Sequence, residues 1–276
     1  MDYQIILIYC LCADLLEAMD HYEDEQCQVS DAEIMTIGLV AALHFGGNYT
    51  KARVMLKEQG YIPGMLGKSR FSRRLHRVKH HFLTLFNVLG ELWKAESEEN
   101  IFIVDTYPIA VCDNIRIRRC KLYTEEMHRG YKSSKRRYIY GLKIHMMVTE
   151  TGRPVEFFLT HGAMNDTLGL EFFDFELPEG SMVLADKAYN SYVIEDHLED
   201  QGILLRPIRK KNSKRPLAGW IHFFQRHYRQ AVETAGSMIE RLLPKSIHAT
   251  STAGFELKVV LFCLASSISW LQPTEV

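Results

Sequence analysis

Near residues 95–100 the hydrophobic pattern of the chain changes from the spacing of helices to that of strands. Before this point apolar residues recur every three or four positions, and Ser30 with Glu33 forms the capping box that begins a helix. After it, apolar runs of strand length alternate with helical segments. The pattern predicts an all-helical first domain over residues 1–97 and an α/β domain over 98–276, built on a mixed sheet flanked by helices.

Single elements follow from the same pattern. Helices are expected from Ser30 to Gly46 and over residues 49–59, 69–94, 191–201, 220–243 and 254–271. Strands are expected over residues 101–104, 142–149, 155–160, 182–185 and 203–208. The apolar run 5–13 is too short to span a bilayer and predicts a buried helix.

Composition excludes several classes of protein. Hydrophobic residues make up 47% and charged residues 24% of the 276 residues, which is typical of a globular chain and excludes a disordered or collagen-like one. The six cysteines form no C-x-x-C pair, so free thiols in a reducing cytoplasm are expected rather than a zinc ribbon. The chain also lacks the H-E-x-x-H, P-loop and G-x-S-x-G motifs, and their chemistries are therefore not expected.

Two aspartates directly follow apolar strands: Asp105 follows residues 101–104, and Asp186 follows residues 182–185. Ligands of α/β sheets bind at such strand ends. If the two strands are neighbours, the carboxylates lie together, and a divalent cation is needed to offset their repulsion. Mg²⁺ and Mn²⁺ prefer carboxylate oxygens, so a site for them is predicted. The alternative is that each aspartate only caps a turn or the next helix.

A third carboxylate is expected from a helix that crosses these strand ends. Glu233 is the candidate, because Arg229 lies four residues earlier on the same helix face; Glu240 is a rival close to that face. Two metal ions roughly 3.5–4 Å apart activate the attacking oxygen and stabilise the leaving oxygen in an in-line phosphoryl displacement. The three acids therefore predict phosphodiester chemistry on nucleic acid.

The distribution of charge favours the same kind of partner. The net charge is only −1, but residues 1–50 contain nine acids and no Lys or Arg. The other 226 residues hold 33 bases and 25 acids, a net charge of +8. An acidic first segment therefore masks a basic body, and local charge decides what a protein can approach.

The first basic segment is a predicted amphipathic helix. Its basic stripe is formed by Arg70, Arg73, Arg74 and Arg77, opposite an apolar face. Short helices, a turn and then this helix resemble a helix-turn-helix, in which the last helix contacts DNA. The alternative is a basic face that only contacts solvent.

Two further basic segments lie in the α/β domain. Residues 116–143 interleave Lys and Arg with tyrosines, which suits contacts to phosphates and bases. Residues 130–137 are predicted as a loop within a basic insertion at about residues 113–140. The other segment covers residues 206–215. The complete set of predicted DNA-binding residues is Arg70, Arg73, Arg74, Arg77, Arg129, Lys132, Lys143, Arg206, Lys210, Lys211 and Arg229.

Four segments together resemble the DDE transposases of bacterial insertion sequences, and most closely those of the insertion sequence 982 family. They are I-V-D-T-Y-P-I at 103–109, G-Y-K at 130–132 with G-L-K-I-H at 141–145, L-A-D-K-A-Y at 184–189, and Arg229-x-x-x-Glu233-Thr234. The resemblance implies a ribonuclease H-like catalytic domain after the helical DNA-binding domain, with Asp105, Asp186 and Glu233 as catalytic and metal-binding residues. The Arg-x-x-x-Glu spacing favours Glu233 over Glu240. Related groups carry Tyr and Lys where this chain has Arg226 and Glu240.

The resemblance also implies the activity. The expected enzyme cleaves the ends of its own insertion sequence and joins them to target DNA with two Mg²⁺ ions, for which Mn²⁺ substitutes. Its expected partners are the terminal inverted repeats, the target DNA and a second copy of the chain, with no membrane and no small-molecule substrate. Two alternatives remain open: a related metal-dependent nuclease without strand transfer, and an inactive DNA-binding protein derived from a transposase.

Overall fold

The computed structural model describes residues 1–132, 136–209, 211–228 and 247–271. Their contacts divide them into two compact units. One contains residues 1–89 and the C-terminal residues 247–271, and the other contains the described residues between 90 and 228.

The helices and strands are numbered in chain order. The helices are α1 (Asp2–Ala18), α2 (Asp31–Phe45), α3 (Tyr49–Glu58), α4 (Lys68–Arg77), α5 (Lys79–Ala95), α6 (Asp166–Gly169), α7 (Tyr192–Asp200), α8 (described over residues 219–228) and α9 (Thr252–Ile268). The strands are β1 (Ile101–Asp113), β2 (Arg129–Lys132), β3 (Arg137–Thr149), β4 (Pro154–His161), β5 (Met182–Ala185) and β6 (Leu204–Pro207).

Helix α2 forms the centre of the helical unit. It begins at the predicted capping box, in which Ser30 Oγ accepts from the Glu33 amide at 3.1 Å while the Glu33 carboxylate accepts from the Ser30 amide at 2.6 Å. It ends at Gly46, which adopts the left-handed conformation that favours glycine. Its residues are buried on nearly every side, and this explains why its sequence is apolar all round.

The C-terminal helix α9 packs against α2, although the sequence pattern groups it with the α/β domain. The physical reason is its composition: α9 is apolar around most of its circumference and must be covered on several sides. Gly47 permits the close approach, because a Cβ atom there would lie 3.0 Å from the Phe262 ring. The first unit is therefore built from both ends of the described chain.

The single helix predicted over residues 69–94 is wrong, because the structure breaks it at Val78 into α4 and α5. Val78 has φ −87° and ψ 6°, outside the helical range, and no proline or glycine marks the position. Phe71, Leu75, Val78 and Phe82 are all buried, so both helices keep their apolar faces in the core. Packing sets this break, and the local sequence does not signal it.

The apolar run 5–13 lies within α1, so the predicted helix is present, but it is buried on one face only: Ile5, Ile8 and Cys12 are buried, whereas Ile6 and Tyr9 are exposed. Within the described ranges, no helix combines the length and the apolar character needed to cross a membrane.

The second unit contains a mixed sheet. Strand β1 pairs antiparallel with β3, and β3 pairs antiparallel with β4 along one part of its other edge and with β2 along the next part. On its opposite side, β1 pairs parallel with β5, which pairs parallel with β6. The order across the sheet is thus β4, β3, β1, β5, β6, with β1 in the centre. This is the mixed sheet with helices that the sequence predicts.

Two parts of the strand prediction need correction. Strand β1 continues to Asp113, well past the predicted end at residue 104, because β3 pairs with it over nearly its whole length. The segment 130–137, predicted as a loop, contributes the strand β2, which pairs with residues 137–140 of β3. The predicted helix over 220–243 is described only over 219–228, so Arg229, Glu233 and Glu240 lie outside the described residues.

Candidate active site

The structure brings Asp105 and Asp186 to neighbouring positions on two parallel strands. Val104 of β1 is in register with Ala185 of β5, and each aspartate is the next residue along its chain. Neighbouring strands lie about 4.8 Å apart, so the two side chains emerge side by side at the edge where β5 ends. Asp105 is half-buried and Asp186 is exposed, which leaves this edge open to a large substrate.

Backbone amides orient both carboxylates. The Thr106 amide donates to Asp105 Oδ1 at 2.7 Å, and the Lys187 amide donates to Asp186 Oδ1 at 2.6 Å. Asp186 also begins the short 3₁₀ turn Lys187–Tyr189, so it caps a turn in addition to lying beside Asp105. Asp186 therefore does cap a turn, as the alternative interpretation expects, but this role does not explain why Asp105 lies beside it.

The donor set fits a hard divalent cation. Two carboxylates held this close repel each other unless a cation lies between them, and Mg²⁺ and Mn²⁺ prefer such oxygen ligands. Within the described ranges, no group of three His, Cys, Asp or Glu side chains is arranged to hold a metal ion. The two aspartates are two of the three predicted ligands, and the third, Glu233, is not among the described residues.

Tyr189 packs directly beneath this edge, and sequence reasoning missed it as a site residue. The side chain is 1% exposed, and its amide donates to the Asp186 carbonyl at 3.0 Å. Burial, followed by the nearby negative charges of Asp166 and Asp105, raises the pKa of its phenol well above the ordinary value, so the hydroxyl stays protonated. The sequence signal that could have identified Tyr189 is its position three residues after Asp186, in the A-D-K-A-Y segment.

Lys143, a predicted phosphate contact, makes internal contacts instead. Its ammonium donates to the Met164 carbonyl at 2.6 Å and to Asp166 Oδ1 at 2.7 Å, and its side chain is 16% exposed. Thr167, the next residue after Asp166, donates its hydroxyl to the Ala188 carbonyl at 2.5 Å. The ion pair therefore anchors a turn that supports the segment after Asp186. The phosphate role of Lys143 stays a prediction.

His145 lies on β3, in register with Thr106 of β1, and is fully buried. Its Nε2 lies 3.0 Å from the Thr160 hydroxyl, and its ring stacks on Phe158 at 4.7 Å between centroids. Burial lowers the pKa of the imidazole to about 4, so it is neutral at physiological pH. Gly169 packs so close that a Cβ atom would lie 2.4 Å from the ring. This histidine fills the core and supports the edge of the sheet.

The other predicted basic contacts of this unit differ in their surroundings. Arg206 lies 3.6 Å from Glu199, and its side chain is 18% exposed. Arg129 pairs with Glu126 at 2.7 Å and lies over the Tyr138 ring at 4.3 Å. Lys211 is exposed. The Lys132 side chain and the residues Lys210 and Arg229 lie outside what the structure describes.

In the helical unit, Arg74 differs from the other three arginines of the predicted stripe. Its guanidinium pairs with both Asp31 and Glu23 and donates to the Val29 carbonyl, and its side chain is 12% exposed. Burial opposes ionisation of Asp31, but hydrogen bonds from His21 and Arg74 outweigh it and hold the pKa of its carboxyl below the ordinary value. Arg74 is therefore held by internal ion pairs, although it lines the same groove as the other three arginines, and its DNA contact stays a prediction.

Arg70, Arg73 and Arg77 are exposed and line one side of a groove that also includes Gln26 and Gln28. Helix α4, which carries them, follows α3 after residues 59–67. This connection of nine residues is longer than the three- or four-residue turn of a helix-turn-helix, so the helix-turn-helix stays a prediction. These three arginines keep the solvent exposure that a phosphate contact needs.

Comparison with known proteins gives one family. Residues 95–244 match the family model described as "Transposase DDE domain". The matched range contains Asp105, Asp186 and Glu233. By sequence, no curated protein matches the chain.

Two solved structures match the chain at low identity. The first is a piggyBac transposase synaptic complex with hairpin DNA, at 10% identity and a TM-score of 0.48, covering 96% of this chain and 74% of that chain. The second is a Mos1 transposase paired-end complex with the left transposon end, at 12% identity and a TM-score of 0.27, covering 82% of both chains.

Proposed function

The chain belongs to the family defined by the transposase DDE domain, and from that membership we propose that it cleaves DNA at the ends of an insertion sequence and joins them to target DNA. The observation that carries this proposal is the placement of Asp105 and Asp186 side by side on neighbouring parallel strands. Insertion sequence 982 is the bacterial family whose motifs the chain resembles, and we assign it there.

We further assign the catalytic unit to the ribonuclease H-like fold. The supporting observation is the sheet, in which β4, β3 and β1 are successively antiparallel while β5 and β6 run parallel to β1. In this order the central strand carries Asp105 and its parallel neighbour leads into Asp186. The fold thus explains why residues so far apart in the chain lie together.

Asp105 and Asp186 would bind the divalent ions, and Glu233 would complete the ligand set. When bound, two such ions lower the pKa of the attacking hydroxyl and stabilise the leaving oxygen of an in-line displacement. The residues of the chain perform the remaining tasks. The amides of Thr106 and Lys187 orient the carboxylates, and the exposed edge at Asp186 admits a phosphodiester. No covalent protein intermediate is needed, because water or a DNA 3′-hydroxyl is the nucleophile.

DNA binding is proposed for the basic residues that face solvent. In the helical unit these are Arg70, Arg73 and Arg77, which we propose contact the terminal inverted repeats. Arg74 and Lys143 already lie in largely buried ion pairs, so their loss would act first on stability, whereas Arg206 lies 3.6 Å from the exposed Glu199 and stays a candidate DNA contact. Because joining requires two ends, we propose that the chain acts as a homodimer on DNA.

The test is a cleavage assay on a supercoiled plasmid that carries the coding region with its flanking DNA. Asp105→Asn, Asp186→Asn and Glu233→Gln should each reduce nicking in Mg²⁺ or Mn²⁺ by about a hundredfold or more, since each removes a ligand of the ions that stabilise the transition state. The variants should still bind the DNA. The matched control is Asp200→Asn at the exposed end of α7, which should nick as the wild type does.

The same assay separates the alternatives. Transfer of labelled 3′ ends into a second plasmid supports a transposase, whereas nicking without joined product would indicate a nuclease of the same fold. A wild-type chain that binds DNA but leaves the plasmid intact in both metal ions would refute catalysis. If Asp186→Asn nicks at the wild-type rate, the assignment of the site is wrong.

A further inference from the structure

A second concave site lies in the helical unit, away from the arginines of α4 discussed above. It is a cavity of about 580 Å³ between the beginning of α3, the beginning of α4 and the α9 residue Lys258. Its floor contains Tyr49 and Phe71, whose rings meet edge to face at 5.5 Å. Cavities of this size hold ligands of about the dimensions of a nucleotide unit.

The Lys and Arg side chains that line the cavity are not balanced by acidic ones from the described residues. Arg53, Lys68 and Lys258 line it, and the described lining includes no Asp or Glu. Among the described residues, none of these three cations forms a salt bridge. Lys258 is half-buried, its ammonium donates to the His248 carbonyl at 2.6 Å and lies 5.1 Å from the centre of the Tyr49 ring, and burial lowers its pKa. A carboxylate or phosphate would offset the cost of partly burying the charges of Arg53 and Lys258.

Polar groups without partners also border the cavity. The Tyr49 hydroxyl and the Arg53 Nε are buried, and within the described part of the chain neither has a hydrogen-bond partner. Another nitrogen of the Arg53 guanidinium donates to the Leu66 carbonyl, which holds this cation at the wall of the cavity. Helix α4 also begins here without a side-chain cap at Gly67, so amides of its first turn remain available to an anion.

We propose that this cavity binds a backbone phosphate of the DNA, with Lys258, Arg53 and Lys68 as its cationic ligands. The inference rests on the proposed function only in taking DNA as the partner. It adds a contact surface to which α9 contributes, although α9 lies far from α3 and α4 in the sequence. A phosphate is favoured over a carboxylate because three cations and several donors surround one space.

The experiment measures the binding of the full chain to a short duplex DNA, without divalent ions, over a range of salt concentrations. Lys258→Gln and Lys68→Gln should each weaken binding several-fold and reduce the slope of log affinity against log salt by about 1. Lys68 is exposed, so its variant guards against a folding defect in the first. The matched control is Lys57→Gln, an exposed lysine of α3 outside the cavity.

Three results would overturn the inference. The first is an unchanged salt dependence of DNA affinity in both variants, and the second is a loss of affinity in Lys57→Gln equal to theirs. The third is that inorganic phosphate stabilises the wild type while the variants bind DNA as the wild type does. The last result would mean that the cavity takes a free anion only. The binding assay contains no divalent ion and leaves Asp105 and Asp186 intact, so its result does not depend on catalysis. A chain that binds DNA through this cavity but does not nick the plasmid in the cleavage assay refutes the proposed catalysis and not this inference.

Discussion

Replacing Arg74 by alanine tests whether this arginine of the basic stripe stabilises the fold, while the other three are available for DNA binding. The guanidinium of Arg74 pairs with Asp31, whose side chain is only 3% exposed, and with Glu23. After the change, His21 at 3.0 Å is the remaining described partner in contact with the Asp31 carboxylate. Removing one member of a buried ion pair costs about 3–5 kcal/mol, because the other charge is left buried.

Since His21 still contacts Asp31, the lower end of that range applies, and the free energy of unfolding should fall by about 3 kcal/mol. Such a loss lowers the melting temperature by roughly 10 °C for a unit of this size. Urea denaturation followed by circular dichroism measures it. The loss should shrink at acid pH: the pKa of Asp31 is depressed in the folded state, so its stabilising effect is present above the ordinary value and disappears as the pH falls.

The matched variant is Arg73→Ala, one residue earlier and exposed. It should leave the free energy of unfolding within about 0.5 kcal/mol of the wild type while it reduces the salt dependence of DNA binding. The reasoning is refuted if Arg74→Ala is as stable as Arg73→Ala, or if it lowers DNA affinity with no loss of stability.

Three further predictions concern the catalytic unit. Tyr189→Phe should change the free energy of unfolding by less than about 1 kcal/mol but slow DNA nicking, because the buried hydroxyl lies close to the charges of Asp105 and Asp166. Equal nicking rates of the variant and the wild type would exclude a role of this hydroxyl in the site. Gly169→Ala should lower the free energy of unfolding by about 1–3 kcal/mol, measured in urea, because the added Cβ would lie 2.4 Å from the His145 ring; an unchanged midpoint would contradict the packing. Burial raises the pKa of Glu156 to about 7, so the stability that its protonated form provides should be lost as the pH rises from about 4.5 to about 7. Glu156→Gln should remove that decline, and parallel pH profiles of the two proteins would show that another group causes it.

The neighbouring positions of Asp105 and Asp186 could be predicted from sequence because the signal is local. Each aspartate follows a short apolar run. In a chain that also contains helical segments, such runs are typical of buried strands in a parallel sheet that is covered by helices. The register of Val104 with Ala185 agrees with that expectation. Capping residues are equally local, which explains why the boundaries of α2 could be predicted.

Features that depend on distant partners could not be predicted. Arg74 and Arg73 look alike in the sequence, and only the position of Asp31, forty-three residues away, separates a structural arginine from an exposed one. Lys143 is similar, because its partner Asp166 lies in a turn after the following strand. The break at Val78 and the packing of α9 on α2 also arise from tertiary contacts. Charge patterns alone therefore do not separate the basic residues held in internal ion pairs from those exposed to solvent.

The most direct test of the account is Mn²⁺ binding to the full chain, measured by electron paramagnetic resonance of the free ion. The wild type should bind Mn²⁺, and Asp105→Asn and Asp186→Asn should each lose most of that binding while Asp200→Asn retains it. If both site variants bind Mn²⁺ as the wild type does, the two carboxylates do not share a metal site, and the proposed chemistry is contradicted.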